Sequence, residues 1–440
     1  MKRYPAYKDS GIVWIGEIPE HWEVKPLKYT VKINQNSLPE NTHEDYEIQY
    51  IDIGNVNQDG LVNHPKVMSF SISPSRARRV VKKGDTIVST VRTYLKAIAY
   101  INSEDENLIA STGFAVLTPT NKLHSMYLYY LISTQKIIDT ISSLSVGVSY
   151  PAINSSDLGS IPIWFPKAIE EQQTIANYLD RKTHLLDTLI ENKQRQIDLL
   201  KEQRTAIINH AVTKGLTPNV KLKDSGIEWL GEIPEHWDVK KGKYLFSIVN
   251  GYPPEQINFA EDGQHTYFRV DDLNEDGHGL YLTNGKAKFI LGSTALYQKN
   301  LILFPKRGVA ILTNKVKITA IQNLFDTNLM GLNVFRNKAD IEFLSYCLLT
   351  RRLNDIADTS TIPQINNKHI YPLFFPLPPL IEQKSISTFL NQYIHKTDSL
   401  ILKIEKTIGH LKEYRTALIS EVVTGKIDVR DYGEQEVISS

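Results

Sequence analysis

Apolar residues recur every three to four positions along two long stretches of the chain. In the first, one row is Leu179, Leu186, Lys193, Leu200 and Ile207; its companion is Thr183, Ile190, Ile197, Arg204 and Ala211. The same rows return 211 residues later as Leu390, Thr397, Ile404, Leu411, Leu418 and Ile394, Ile401, Ile408, Arg415, Val422. A narrow seam at heptad spacing predicts helices that pair as a coiled coil, and the nearest partner for each is the other. The first helix should start just beyond Pro166, where Glu170 and Glu171 suit the helix dipole, and end near Lys214-Gly215. The second should run from beyond Pro378-Pro379 to near Gly425. Each spans about 45 residues, or roughly 70 Å, longer than one globular domain, so the pair is expected to act as a spacer. An amphipathic helix lying on a domain core is the plainer alternative. Arg204 and Arg415 interrupt the rows and are expected to fix register or to face another subunit.

The remaining stretches alternate short apolar runs with Gly, Asn and Asp, as at 57–60 and 274–279. The pattern predicts mixed α/β blocks with strands near 48–53, 86–91, 97–101 and 114–117. In the second block, strands are expected near 266–270, 301–304, 309–312 and 332–335. Helices are expected around 125–141 and 340–352.

The chain is written twice. KDSGIVWIGEIPEHWEVK at 8–25 and KDSGIEWLGEIPEHWDVK at 223–240 agree at 15 of 18 positions. Glu171-Gln172 matches Glu382-Gln383, LKEQRTA at 200–206 matches LKEYRTA at 411–417, and Pro151-Ala-Ile-Asn matches Pro363-Gln-Ile-Asn. Between these lie unmatched blocks, about 26–150 and 241–362. Two units are too few and too long for a solenoid, so a duplicated chain with a pseudo-twofold axis is the simplest account. The expected organisation is a first block domain over 1–160, a helix segment over 161–220, a second block domain over 221–370, and a distal helix with its tail over 371–440.

Composition narrows the chemistry. The 440 residues hold 41% hydrophobic and 22% charged positions, ordinary for globular protein. No apolar run is long enough to span a membrane and no secretory signal is seen, so a cytoplasmic location is expected. The single cysteine, Cys347, excludes an intramolecular disulfide and a multi-cysteine metal site. Neither Pro-Pro pair sits in an adenine-methylation loop, and no phosphate loop occurs. His21 and His236 recur without spaced partners, so no metal site is expected. Asp271-Asp272, adjacent in a strand-like run, would point to opposite faces and make a poor metal pair. The recurring Trp14, Trp22, Trp229 and Trp237 are expected as apolar anchors, and the repeated Glu-Gln pair as structural.

Lys and Arg total 50 against 49 Asp and Glu, so any nucleic-acid contact must come from local patches. Two patches exist, and they lie at different places within their blocks. The first holds Arg76, Arg78, Arg79, Lys82, Lys83, Arg92 and Lys96 against Asp85, with Tyr94 among them. The second holds Lys299, Lys306, Arg307, Lys315 and Lys317 with no acid, and Asn314 adds an amide able to read adenine. Each is either a solvated basic face or a surface that neutralises phosphates and reaches base edges.

The whole chain resembles the DNA specificity subunit of type I restriction-modification systems. The resemblance rests on G-x-I-P-x-x-W at 16–22 and 231–237, on P-L-P-P-L-x-E-Q-x-x-I at 376–386, and on its looser copy at 166–175. In that copy Lys167-Ala168-Ile169 stands where the family favours Leu-Pro-Pro. The resemblance implies an α+β architecture: two mixed α/β target recognition domains, joined by two long helices forming an antiparallel coiled coil. Each block would read one half of a split, asymmetric site in double-stranded DNA, and the helices would set the gap. Two modification subunits would carry S-adenosylmethionine and adenine methylation, and restriction subunits with motor and nuclease would join them. The chain itself would bind no cofactor and hold no active site. A coiled-coil scaffold that binds no DNA is the alternative, which leaves two divergent basic blocks unexplained.

Overall fold

The structure is a computed structural model and describes residues 2–56, 62, 64–147, 149–274, 279–291, 299–358 and 362–432. The expected turn at 57–60 and most of that at 274–279 lie outside the described residues. The apolar run after residue 124 forms two helices, α1 (Ser125–Ile132) and α2 (Gln135–Leu144), where one was expected. Ser133 Oγ and Thr134 Oγ1 donate back to the Tyr129 and Leu131 carbonyls, both at 2.7 Å, and Thr134 turns extended. Hydroxyls that compete for helix carbonyls in this way end the first helix. The remaining helices are α3 (Ser155–Ser160), α4 (Ile169–Lys214), α5 (Ile341–Arg351), α6 (Asn367–Ile370) and α7 (Leu380–Val423).

The chain divides into two units, residues 1–192 with 408–440, and residues 193–407. Each takes part of α4 and part of α7, so the division falls inside the long helices. In the first unit Arg415 Nε and Nη2 donate to the two carboxylate oxygens of Asp187, at 2.8 and 3.2 Å. In the second, Arg204 Nη1 donates to Asp398 Oδ1 at 2.7 Å. The two ion pairs are copies at the 211-residue offset, and in both units the helix segments run antiparallel. The arginines thus hold register inside their own units. None of the twenty row positions is exposed, as a shared seam requires.

Both units are built to one plan. A ribbon pairs Tyr7–Asp9 with Glu17–Pro19, and its copy pairs Leu222–Asp224 with Glu232–Pro234. A second pair brings the two ends of each block together: Trp22–Pro26 against Pro162–Pro166, and Asp238–Lys241 against Phe374–Leu377. Inside the first block are two four-stranded sheets. Their orders are Lys66–Ser69, Glu47–Ile51, Leu108–Ser111, Ala77–Val80 and Val31–Ile33, Phe114–Pro119, Thr86–Ser89, Ile98–Tyr100. The second block has a five-stranded sheet led by Phe246–Asn250 and Leu329–Val334, and a three-stranded one centred on His265–Phe268. Both contain parallel pairing: Glu47–Ile51 with Leu108–Ser111 in the first, and His265–Phe268 with Asn323–Phe325 and Tyr281–Leu282 with Lys317–Thr319 in the second.

The duplicated residues turn out to be the bolts of this frame. Trp22 is fully buried, and its Nε1 donates to Glu171 Oε1 at 3.0 Å while His21 Nε2 lies 2.8 Å from Oε2. Trp237, His236 and Glu382 repeat the arrangement at 3.1 and 2.9 Å. The neighbouring Gln172 is buried; its Nε2 donates to the Pro166 and Lys122 carbonyls, and its Oε1 accepts from His124 N. Gln383 does the same with Pro378 O and Asp340 N. Each Glu-Gln pair therefore staples the first turn of a long helix to its block. At the far end of α7, Gly425 turns at φ 72°, where a Cβ would meet the Pro19 ring at 2.4 Å, so only glycine fits.

Candidate nucleic-acid interface

Both basic stretches contain the same device. In the first unit, strand Thr86–Ser89 leads through Arg92 (φ 50°) into a 3-10 turn, Thr93–Leu95. The turn closes at Lys96 (φ 54°) before strand Ile98–Tyr100. In the second, Ile302–Pro305 leads through Gly308 (φ 72°) into Val309–Thr313, which closes at Asn314 (φ 49°) before Lys317–Thr319. The run 309–312 was expected as a strand. It curls instead because left-handed residues bracket it and only Ile311 finds the core.

The Pro-x-Ile-Asn echoes tie these turns down. Arg92 N donates to Pro151 O at 2.8 Å and Ile153 N to Thr90 O at 2.9 Å. Gly308 N donates to Pro363 O and Ile365 N to Lys306 O, both at 2.9 Å. Asn154 then caps α3, and Asn366 forms a capping box at α6. The expectation that the two stretches lie at different places is thus corrected for 86–96 and 302–314, which occupy one position in a shared plan. A positive-φ residue opens and closes the turn in both, and the side chains carried between them differ.

The candidate residues separate by what their polar atoms already do. Arg76 donates from Nε to Tyr50 Oη at 3.1 Å and from Nη2 to Asp52 Oδ2 at 2.7 Å, and these contacts raise its pKa. Arg78 lies over the Phe70 ring at 4.8 Å. Arg79 is half-buried, and its Nε has no hydrogen-bond partner among the described residues. Lys83 is exposed but paired with Glu104. Lys82, Arg92 and Lys96 are exposed, and Lys96 Nζ donates only to the neutral Gln135 Oε1, at 3.1 Å. Tyr94 is 56% exposed on the turn itself. The first stretch therefore presents uncompensated charge around the turn, while Arg76 and Lys83 are matched by acids.

In the second stretch, Arg307 is exposed and Lys315 half-buried. Burial, followed by the adjacent Arg307, pushes the Lys306 ammonium below the usual lysine range. Two residues expected at DNA are spent on structure. Lys317 is 3% exposed in its strand, and its Nζ donates to Gly279 O at 2.6 Å. Asn314 Nδ2 donates to Leu349 O at 2.8 Å, and its Oδ1 accepts from Leu353 N at 2.9 Å. With one N–H and its carbonyl oxygen engaged at the end of α5, the Asn314 amide fixes the turn.

Sequence reasoning missed Tyr150. It is 64% exposed, and the Arg92 guanidinium lies 4.8 Å above its ring. The available signal was Pro151: the echo that anchors this segment also delivers the preceding residue to the turn. Among the described residues, no group of three or more His, Cys, Asp or Glu is placed to hold a metal ion. Cys347 is buried, which pushes its thiol pKa up. No helix among them is long and apolar enough to cross a membrane.

Two mixed sheet blocks, each stapled to a shared helix pair, define a duplicated recognition frame, and comparison with known proteins places it. The family model for the type I restriction modification DNA specificity domain matches residues 19–199 and again 234–410, so the chain belongs to that family. It is 26% identical over 436 residues to a type I restriction enzyme specificity subunit (MjaX) of Methanocaldococcus jannaschii, covering 94% of this chain and 96% of the relative. With the Escherichia coli EcoDI specificity subunit it shares 21% identity over 331 residues, 68% of this chain and 70% of that one. Among solved structures, its fold is similar to a chain from work on complex assembly and conformational transition of the type I R-M system. That match has a TM-score of 0.77 and 20% identity, and covers 93% of this chain and 99% of the other. The HsdS subunit from Thermoanaerobacter tengcongensis matches with a TM-score of 0.56 and 20% identity, covering 93% and 98%.

Proposed function

We propose that this chain reads a bipartite, asymmetric site in double-stranded DNA and directs adenine methylation and restriction by partner subunits. The observation that carries the reading is one frame built twice around blocks that differ. The staples, ribbons and turn anchors recur at matching positions, whereas the side chains on the two turns diverge. A frame repeated with divergent turns suits two readers of different half-sites. The blocks within 1–160 and 221–370 are the readers, and the helix segments within 161–220 and 371–440 set the gap between them. Two modification subunits bring S-adenosylmethionine and the methyl transfer, and restriction subunits bring cleavage. The chain itself contributes recognition and no catalysis, holds no cofactor, and works in the cytoplasm.

The exposed cations Lys82, Lys96 and Arg307 supply phosphate attraction, which releases counterions and weakens with salt. The test is a gel shift with the purified chain and its modification subunit on genomic fragments. Sequence-selective retardation that neither protein gives alone is expected. Tight assembly of the two proteins without DNA retention would make the chain a scaffold and contradict the reading. Methyl transfer by the isolated chain would contradict the division of labour.

A further inference from the structure

We infer that Arg92, backed by Tyr150, is a base-reading residue of the first unit and forks a guanine in one half-site only. The inference rests on the DNA-reading function proposed above and names a residue for it. Arg92 sits at φ 50°, a left-handed conformation that costs a non-glycine residue on the order of 1 kcal/mol. The second unit places Gly308 at the equivalent point, at φ 72° and ψ −167°, a conformation that glycine adopts without strain. The second unit thus meets this position with an unstrained glycine, and the first unit instead holds an arginine in the left-handed region. Strain of this kind persists where the side chain it aims is needed.

The guanidinium is available. It is exposed, and among the described residues it has no acidic partner and donates no hydrogen bond. It lies over the face of Tyr150, 4.8 Å away, itself 64% exposed. A ring under the guanidinium orients its plane while leaving the N–H edge outward. The backbone beneath both residues is fixed, since Arg92 N donates to Pro151 O at 2.8 Å and Val91 bridges Ala152. Two segments about 60 residues apart are thereby locked into one projecting pair, which lowers the entropy lost on binding. A planar fork with free donors matches the O6 and N7 acceptors of guanine in the major groove. The second unit has no side chain at this point, so its half-site is read from elsewhere.

The test uses the full chain with its modification subunit in host cells, followed by sequencing of methylated sites. Arg92→Gly suits the left-handed φ, which glycine adopts readily, and should relax one guanine position in one half-site. Discrimination there should fall about 5- to 150-fold, the worth of one bidentate base contact. Arg92→Lys keeps the charge but loses the fork, and should relax the same position. Tyr150→Ala should relax it less. The other half-site should not move, and the melting temperature of the purified chain should not fall. A motif unchanged in Arg92→Gly overturns the proposal, as does full retention in Arg92→Lys, which would make Arg92 a phosphate contact. If the unaltered chain directs no sequence-specific methylation, the broader DNA-reading function falls, and this proposal with it.

Discussion

Replacing Glu171 with alanine should loosen the first unit more than the equivalent change at Glu382 loosens the second. Both carboxylates accept from a tryptophan Nε1 in which the indole is fully buried. The surroundings differ: the Glu171 side chain is 9% exposed and that of Glu382 25%. A buried indole N–H left without an acceptor costs about 1–3 kcal/mol, and loss of a carboxylate from a helix N-terminus adds about 0.3–1 kcal/mol. For Glu171→Ala the total is about 2–4 kcal/mol, because water has little room to replace the acceptor. For Glu382→Ala water can enter, and about 1–2 kcal/mol is expected. A single melting temperature would blur two units that need not unfold together. Native-state hydrogen exchange read by peptide resolves them. Protection across Trp22–Pro26 and Pro162–Pro166 should drop about 30- to 700-fold in Glu171→Ala, taking tenfold per 1.4 kcal/mol. Glu171→Gln, which keeps one acceptor oxygen, should fall between the variant and the native chain. If Glu382→Ala lost as much protection in its own unit as Glu171→Ala does, burial of the staple would not be what sets its worth.

Three further outcomes are expected. Inserting four residues beside Lys193 should lengthen the unspecified gap by about 6 Å, near two base pairs, with both half-sites unchanged; an unaltered gap in active enzyme would mean the helices do not set it. Burial pushes the Asp85 carboxyl up despite the hydrogen bonds from Thr118 Oγ1 and Lys82 N. Its folded pKa therefore lies above the unfolded value, and the stability it contributes is present below about pH 4 and lost as pH rises through the folded value. Asp85→Asn should then help stability more at pH 7 than at pH 3 in thermal melts, and the reverse order would contradict the burial argument. Lys96→Ala should lower the slope of binding against salt by up to about 0.9 with stability kept, whereas Lys317→Ala should destabilise the second unit; a Lys317 variant of native stability would contradict its assignment to the core.

The long helices and the duplication were legible because they are repeated patterns. Heptad rows fix which face is buried, and the echo 211 residues later needs no structure to be seen. The two turns were not legible as equivalents. What they share is a positive-φ residue at each end and the anchoring bonds to Pro151 and Pro363, and Arg92 and Gly308 hold that position with unrelated side chains. Lys317 was misread for a related reason: all three residues of Lys317–Thr319 are buried, so charge alone gave no hint that the ammonium ends on a carbonyl. Asn314 looked free because its partners, Leu349 and Leu353, lie about 35–40 residues away across α5. The run 309–312 is apolar yet mostly exposed, with Val309 and Leu312 outside the core, so hydrophobicity pointed to a strand that the bracketing residues do not allow. Tyr150 carried no pattern at all, and only its place before an anchored proline brings it to Arg92.

The central claim is that two separable readers sit on one frame. The most direct test exchanges residues 26–150 for the corresponding block of a related specificity subunit and sequences the methylated sites in a host carrying the modification subunit. The frame residues Trp22, Glu171 and Gln172 stay in place, so assembly should be retained. One half of the methylated motif should change, to that of the donor, while the other half and the gap remain. A change in both halves, or in neither, from an assembled and active complex would contradict the account.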